Sequence, residues 1–340
     1  MCAALADGYT LTMPSSDTSL RGPYPVGVIQ TEIASPNDPI DPDRVLPTEL
    51  WYPARAGVHE RDDAPHPLGM PHRATPNLSP DDAAPHPLVV FSHGNSGLRQ
   101  QSTFLTTHLA SWGFVVAAPD HVGNTFDEML RLETDDQRRD VHLRARTQRP
   151  LDVQRIVTAL VDEEHAKQRL PQIDSTLIGV SGHSYGGWTA LKIPALEPRV
   201  GSVCCLAPAS EPFVGRRAFA EGELPLSPDV GALVLAAEDD VLVDRATSIE
   251  PLFERLGAHA RIEWLDRADH FHFCDGVELL HKIHENTPRP NLPRPPRPVS
   301  ELRTEADTHP WLAGRVADFF LETLARAIIG DSRVAGGASA

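Results

Sequence analysis

A serine stands in the middle of Gly182-His183-Ser184-Tyr185-Gly186, directly after the apolar run Leu177 to Val180 and before the helix-compatible segment Trp188 to Leu196. A strand, a sharp turn and a helix in that order lift a hydroxyl clear of the backbone at the end of a parallel strand. The turn leaves almost no room two residues before and after the serine, and Gly182 and Gly186 fill those places. A serine hydroxyl stays protonated near neutral pH, so it attacks a carbonyl only with a base beside it, oriented by an acid. The same arrangement places that acid after a later strand and a histidine after the last one. Leu233 to Ala237 runs into Glu238-Asp239-Asp240, and Ile262 to Leu265 runs into Asp266-Arg267-Ala268-Asp269-His270. Asp240 is set off from the strand end by a short turn and followed by Val241-Leu242-Val243, which favours it over Asp239. His270 follows the strand more closely than His272. In this reading Asp240 fixes the tautomer of His270, which takes the proton of Ser184 and returns it to the leaving alcohol.

The oxyanion of such a reaction needs preorganised donors. One is expected to be the backbone N–H of Tyr185, at the start of the helix that follows the serine. The other is expected from the loop Ser92-His93-Gly94-Asn95-Ser96-Gly97, through the N–H of Asn95. His93, Gly94 and His121, the last after another strand end, are expected to line the substrate pocket. His281 and His284 are spaced to share a helix face, yet no third ligand is nearby, so neither a metal nor a cofactor is expected.

These residues need a sheet to bring them together. Strands are expected over Val26 to Ile33, Val45 to Trp51, Leu88 to Phe91, Phe114 to Ala118, Ser175 to Val180, Val200 to Leu206, Ala232 to Ala237 and Arg261 to Leu265. Helices are expected over Thr103 to Trp112, Pro150 to about Lys167, Trp188 to Leu196, Arg245 to Leu256 and Trp311 to Ile328. Strands alternating with helices imply an α/β protein with a mostly parallel sheet covered on both faces. The economical organisation is an extension over 1–25, one domain over 26–330 and a flexible tail over 331–340. Insertions are expected at about 53–87, 120–148, 207–230 and 272–310, the last with a proline-rich strap near 287–300. Three of these segments are long enough to cover the crevice and select a substrate.

Composition narrows the function classes. The chain has 340 residues, long enough for a sizeable core, and a net charge of −16 that argues against nucleic acid or anionic membrane as partners. No apolar run is long enough to span a bilayer. Met1 to Leu20 has neither a basic start nor an apolar stretch, so no cleaved signal is visible and a cytoplasmic protein acting on a small-molecule ester is expected. Cys2, Cys204, Cys205 and Cys274 form no disulfide framework, although Cys204 or Cys205 could reach Cys274.

Several pieces together resemble a known group: Phe91-Ser92-His93-Gly94, Asp120-His121-Val122-Gly123-Asn124-Thr125, Arg149-Pro150-Leu151-Asp152-Val153, Gly182 to Gly187, Ala268-Asp269-His270-Phe271, and Leu50-Trp51-Tyr52-Pro53. With them the chain resembles α/β-hydrolases, and among these the bacterial predicted dienelactone hydrolases and the platelet-activating-factor acetylhydrolase-like esterases. The resemblance implies an α/β-hydrolase fold and ester hydrolysis without a cofactor. Polyester-cleaving cutinases are similar around the serine but commonly carry Met at the place of Tyr185. True dienelactone hydrolases use a cysteine where this chain has Ser184, so the family name does not fix the activity. A lipase-like or polyester-cleaving enzyme and a non-catalytic binding protein on the same scaffold are the alternatives.

Overall fold

The structure, a computed structural model, describes residues 17–163, 169–286 and 292–335. Cys2, the start of the N-terminal extension, the expected helix end at Lys167, the beginning of the proline-rich strap and the last five residues of the tail lie outside the described residues.

The strands are β1 (Val26–Ala34), β2 (Val45–Pro53), β3 (Thr75–Pro76), β4 (His86–Ser92), β5 (Val115–Pro119), β6 (Ile173–His183), β7 (Val200–Leu206), β8 (Gly231–Ala237) and β9 (Arg261–Leu265). They form one nine-stranded sheet in the order β3-β1-β2-β5-β4-β6-β7-β8-β9. β2 runs antiparallel to both neighbours, and from β5 to β9 every pairing is parallel. The expected strands are all present, lengthened by a residue or more where the apolar run understated them.

Alternation along each central strand feeds two cores. Leu88 and Val90 of β4 face one side, with Val203 and Cys205 of β7 and Val234 and Ala236 of β8. Helices α3 (Asp135–Asp162), α4 (Tyr185–Leu196) and α5 (Glu250–Leu256) cover that face with Ile156, Leu160, Trp188, Leu191 and Leu252. Val89, Phe91, Cys204, Leu206, Leu233 and Leu235 face the other side, under α1 (Thr103–Ser111) and α6 (Glu305–Ala335). Strands buried on both faces are apolar throughout, which is why they read as unbroken runs.

Two expectations need correction, and a possible disulfide is ruled out. The insertion at 120–148, for which no helix was expected, carries α2 (Phe126–Leu130) and the first half of α3. Thr134 caps α3, accepting from the N–H of Gln137, whose side chain reaches back, and Asp135 and Asp136 occupy the first turn. Pro150 therefore lies inside a helix rather than opening one. The cap at Thr134 is the stronger signal, because a proline removes one hydrogen bond without forbidding a helix held by its neighbours. The last helix likewise begins at Glu305, with Pro310 inside it, and runs into the segment expected to be a flexible tail. Finally, Cys204, Cys205 and Cys274 are free thiols, all buried, so no link to Cys274 exists.

Candidate active site

The three residues expected to form the triad follow the carboxyl ends of parallel strands, where open α/β sheets bind ligands. Ser184 follows β6, Asp240 follows β8 and His270 follows β9. The ladder continues past the strand ends to hold them. Ser184 N–H donates to Leu206 O at 2.8 Å, Glu238 N–H to Leu265 O at 3.0 Å and Asp239 N–H to Ala268 O at 2.9 Å.

Ser184 has φ 55°, a left-handed conformation that costs a non-glycine residue energy and occurs where the surroundings enforce it. The enforcement is visible at the two glycines. A Cβ on Gly186 would come within 1.8 Å of Ser92 O, and one on Gly182 within 2.4 Å of Gly186 O. The turn is pressed against the end of β4 as tightly as bare backbone allows.

Asp240 is buried, and its Oδ1 accepts from the N–H groups of Leu242 and Val243 at 2.7 and 2.8 Å. Its Oδ2 lies 2.7 Å from Nδ1 of His270. Asp239, the other acid considered, turns away to Arg297. His272 is fully enclosed, held between the Asp269 carboxylate and Arg303 O. The His270 ring sits 4.5 Å, centroid to centroid, from the ring of His183, the neighbour of Ser184. The loop that carries His270 is fastened to α1: Asp275 accepts from the N–H groups of Thr103 and Phe104, and Ser102 Oγ donates to Phe273 O.

In the loop after β4, the Gly94 N–H donates to Oε1 of Gln101, whose Nε2 donates to Nδ1 of His183. With Gly94 occupied, the next N–H, of Asn95, has no acceptor among the described residues. Tyr185 is the first residue of α4, a position whose N–H has no acceptor inside its own helix. Gln101 was missed in the sequence, where nothing marks one polar residue of a loop as a brace.

His93 and His121 are not where the sequence placed them. Both side chains are fully enclosed, so neither ring lines a pocket. His121 Nδ1 lies 2.8 Å from Asp152 Oδ2, its Nε2 lies 2.8 Å from Ser92 Oγ, and its backbone N–H donates to Nε2 of His93. Burial holds both imidazoles well below their ordinary pKa, as it does His183, so all three are neutral. Burial also pushes Asp152 up to about 6, against the pull of Arg44, which grips both its oxygens. Arg149 and Asn124, given no chemical role from the sequence, join this buried network. A basic and an acidic residue three apart on a helix, Arg149 and Asp152, were the available signal. The buried thiols Cys204 and Cys274 are pushed upward by burial and offer no nucleophile.

Among the described residues no helix is long and apolar enough to cross a membrane, and no group of three or more His, Cys, Asp and Glu could hold a metal ion. The family model of dienelactone hydrolases matches residues 75–289. Among solved structures, the fold is similar to a ferulic acid esterase from Streptomyces cinnamoneus, with a TM-score of 0.60, 23% identity, and coverage of 88% of this chain and 90% of that one.

Proposed function

The chain belongs to the dienelactone hydrolase family, and from that premise we propose that it is a serine esterase that cleaves carboxylic esters through an acyl-enzyme on Ser184. The observation that carries this reading is the buried Asp240–His270 pair, 2.7 Å apart, whose imidazole lies 4.5 Å, ring to ring, from His183, the residue before the strained Ser184. Asp240 fixes the proton of His270 on Nδ1 and leaves Nε2 to act as base. Substrate binding closes the serine hydroxyl onto that nitrogen, as such hydrogen bonds commonly tighten only in the complex. Ser184 Oγ then bonds to the ester carbon and its proton moves to Nε2. The carbonyl oxygen, now negative, is received by the N–H groups of Asn95 and Tyr185. When the C–O bond to the alcohol breaks, His270 gives the proton to the departing oxygen. Water attacks the acyl-enzyme by the same route and frees the acid and the serine.

Half-exposed Phe126 and Phe213 favour esters with an apolar part. The N–H of Phe126 donates to Gly97 O of the Asn95 loop, and Phe213 packs edge-on against the ring of Tyr185 at 5.2 Å. A panel running from short p-nitrophenyl esters to long-chain and polymeric substrates separates a small-ester enzyme from a lipase-like or polyester-cleaving one.

The reading is tested by a fluorophosphonate probe. Native protein should be labelled at Ser184, and Ser184→Ala should lose both label and turnover while melting like the parent. Folded protein that resists the probe and hydrolyses no ester would leave the binding-protein alternative standing.

A further inference from the structure

Arg149 lies on α3 with its side chain wholly buried. It donates to Asn124 Oδ1 at 2.8 Å, to Ser92 Oγ and Thr189 Oγ1 at 3.3 Å, and to His93 O. Its guanidinium also sits 4.8 Å from the centre of the Tyr185 ring. All four acceptors are neutral. A guanidinium can only donate, so it fixes which way round the Asn124 amide lies, oxygen toward Arg149. The amide nitrogen of Asn124 is thereby turned to Asn95 Oδ1, 2.9 Å away. One buried cation thus reaches residue 95 through a single amide and touches residue 185 through its ring. These are the two residues whose N–H groups would receive the oxyanion.

Behind Arg149 runs a second chain, Ser92 Oγ to His121 to Asp152, with Arg44 at its far end. Its order of hydroxyl, imidazole and carboxylate is the same as in the candidate triad. Ser92, His121 and Asp152 are each fully enclosed, so no substrate reaches them. A fully connected polar network in the interior rigidifies what it holds. This one holds the root of the Asn95 loop against α3.

We infer that Asn124 and Arg149 are positioning residues that set the two oxyanion donors, Asn95 directly through the Asn124 amide and Tyr185 through the face of its ring. The inference rests on the esterase reading above. Neither residue touches substrate; both act through residues that do.

Arg149→Met strips four acceptors of their donor and is expected to unfold the region, so the deciding variant is Asn124→Asp. An aspartate still accepts from Arg149 but has no N–H for Asn95 Oδ1, so either two oxygens face each other or the Asn95 amide turns over and gives up Ser96 Oγ; both disturb the loop at residue 95. The expected result is a kcat on a p-nitrophenyl ester lowered about 10- to 100-fold with little change in KM, the signature of a lost transition-state interaction. Melting temperature should be unchanged or raised, because Arg149 gains a carboxylate partner. A merely structural role would couple any loss of kcat to a loss of stability. Wild-type kcat in Asn124→Asp, a loss confined to KM, or a loss matched by a fall in melting temperature overturns the inference. Wild-type protein that neither labels at Ser184 nor turns over ester brings down the esterase reading, and this inference with it. The first three outcomes leave the esterase reading standing.

Discussion

What separates Asp240 from Asp239 is the company their carboxylates keep. Asp240 has each oxygen committed, one to the N–H groups of Leu242 and Val243 and the other to His270. Asp239 points outward to Arg297, which is itself partly exposed, and an ion pair of that kind contributes little. Asp240→Asn should keep the fold but present an amide N–H to Nδ1, forcing the wrong tautomer. A fall in kcat of roughly 10³- to 10⁴-fold is expected, against little change for Asp239→Asn. Steady-state kinetics of the two variants decides it: equal losses, or a larger one at Asp239, would assign the acid wrongly. The thiols make the same point at the residue scale. Sequence alone leaves open a link from Cys204 or Cys205 to Cys274, whereas the structure encloses all three as free thiols that act as packing.

Elements meet at the site with little slack. The end of β4, the Ser184 turn and the start of α4 approach so closely that only glycine fits at Gly182 and Gly186. The contact at Gly186 is with the backbone of Ser92 and His93, which cannot rotate away as a side chain could. Gly186→Ala must therefore push β4 and α4 apart, and overpacking of this kind costs about 1–3 kcal/mol or more. Because that movement displaces the loop bearing Asn95, kcat should fall along with stability. Denaturant melts and kinetics on the same preparation test this, and a variant as stable and active as the parent would show that the close approach is not required. α1 contributes from the other side, since Asp275 satisfies its first N–H groups and so ties the His270 loop to a helix end.

At the scale of the whole molecule, stability is linked to pH through the segment just beyond His270. Asp269 is met by His272 and His281, and their hydrogen bonds hold its carboxylate below its ordinary value of 3.8 despite burial. The hydrogen bond to Asp269 raises His281 above its ordinary 6.5, with Glu285 adding to the effect. A depressed acid stabilises the fold above its unfolded pKa and loses that contribution as pH falls through its folded value. A raised histidine stabilises below its unfolded pKa and loses that contribution as pH rises through its folded value. Both act fully between 3.8 and 6.5. His281→Gln should therefore cost most stability at about pH 5–6 and progressively less toward pH 9. A stability gap between the two proteins that stays constant over that range would remove the ion pair from the account.

Much of this protein was legible before any coordinates. Gly182 and Gly186 around Ser184, the apolar runs and the order serine, acid, histidine fix the fold class and nominate Ser184, Asp240 and His270, because strand burial and turn sterics act on neighbours in the chain. The first half of α3 was not legible from its apolar pattern, since the apolar residues between Gln137 and Arg146 are Val141, Leu143 and Ala145, spaced by two rather than by a helical turn, and the segment is helical through its cap. Only the tertiary structure decided that His93 and His121 lie inside, that Gln101 occupies the Gly94 N–H, and that Arg149 reaches Asn124. Those facts depend on which side chains share a closed space, as Arg149 and Asn124 do across 25 residues and Gln101 and His183 across 82. Desolvation belongs to that space, and a linear pattern of residue types carries no measure of it.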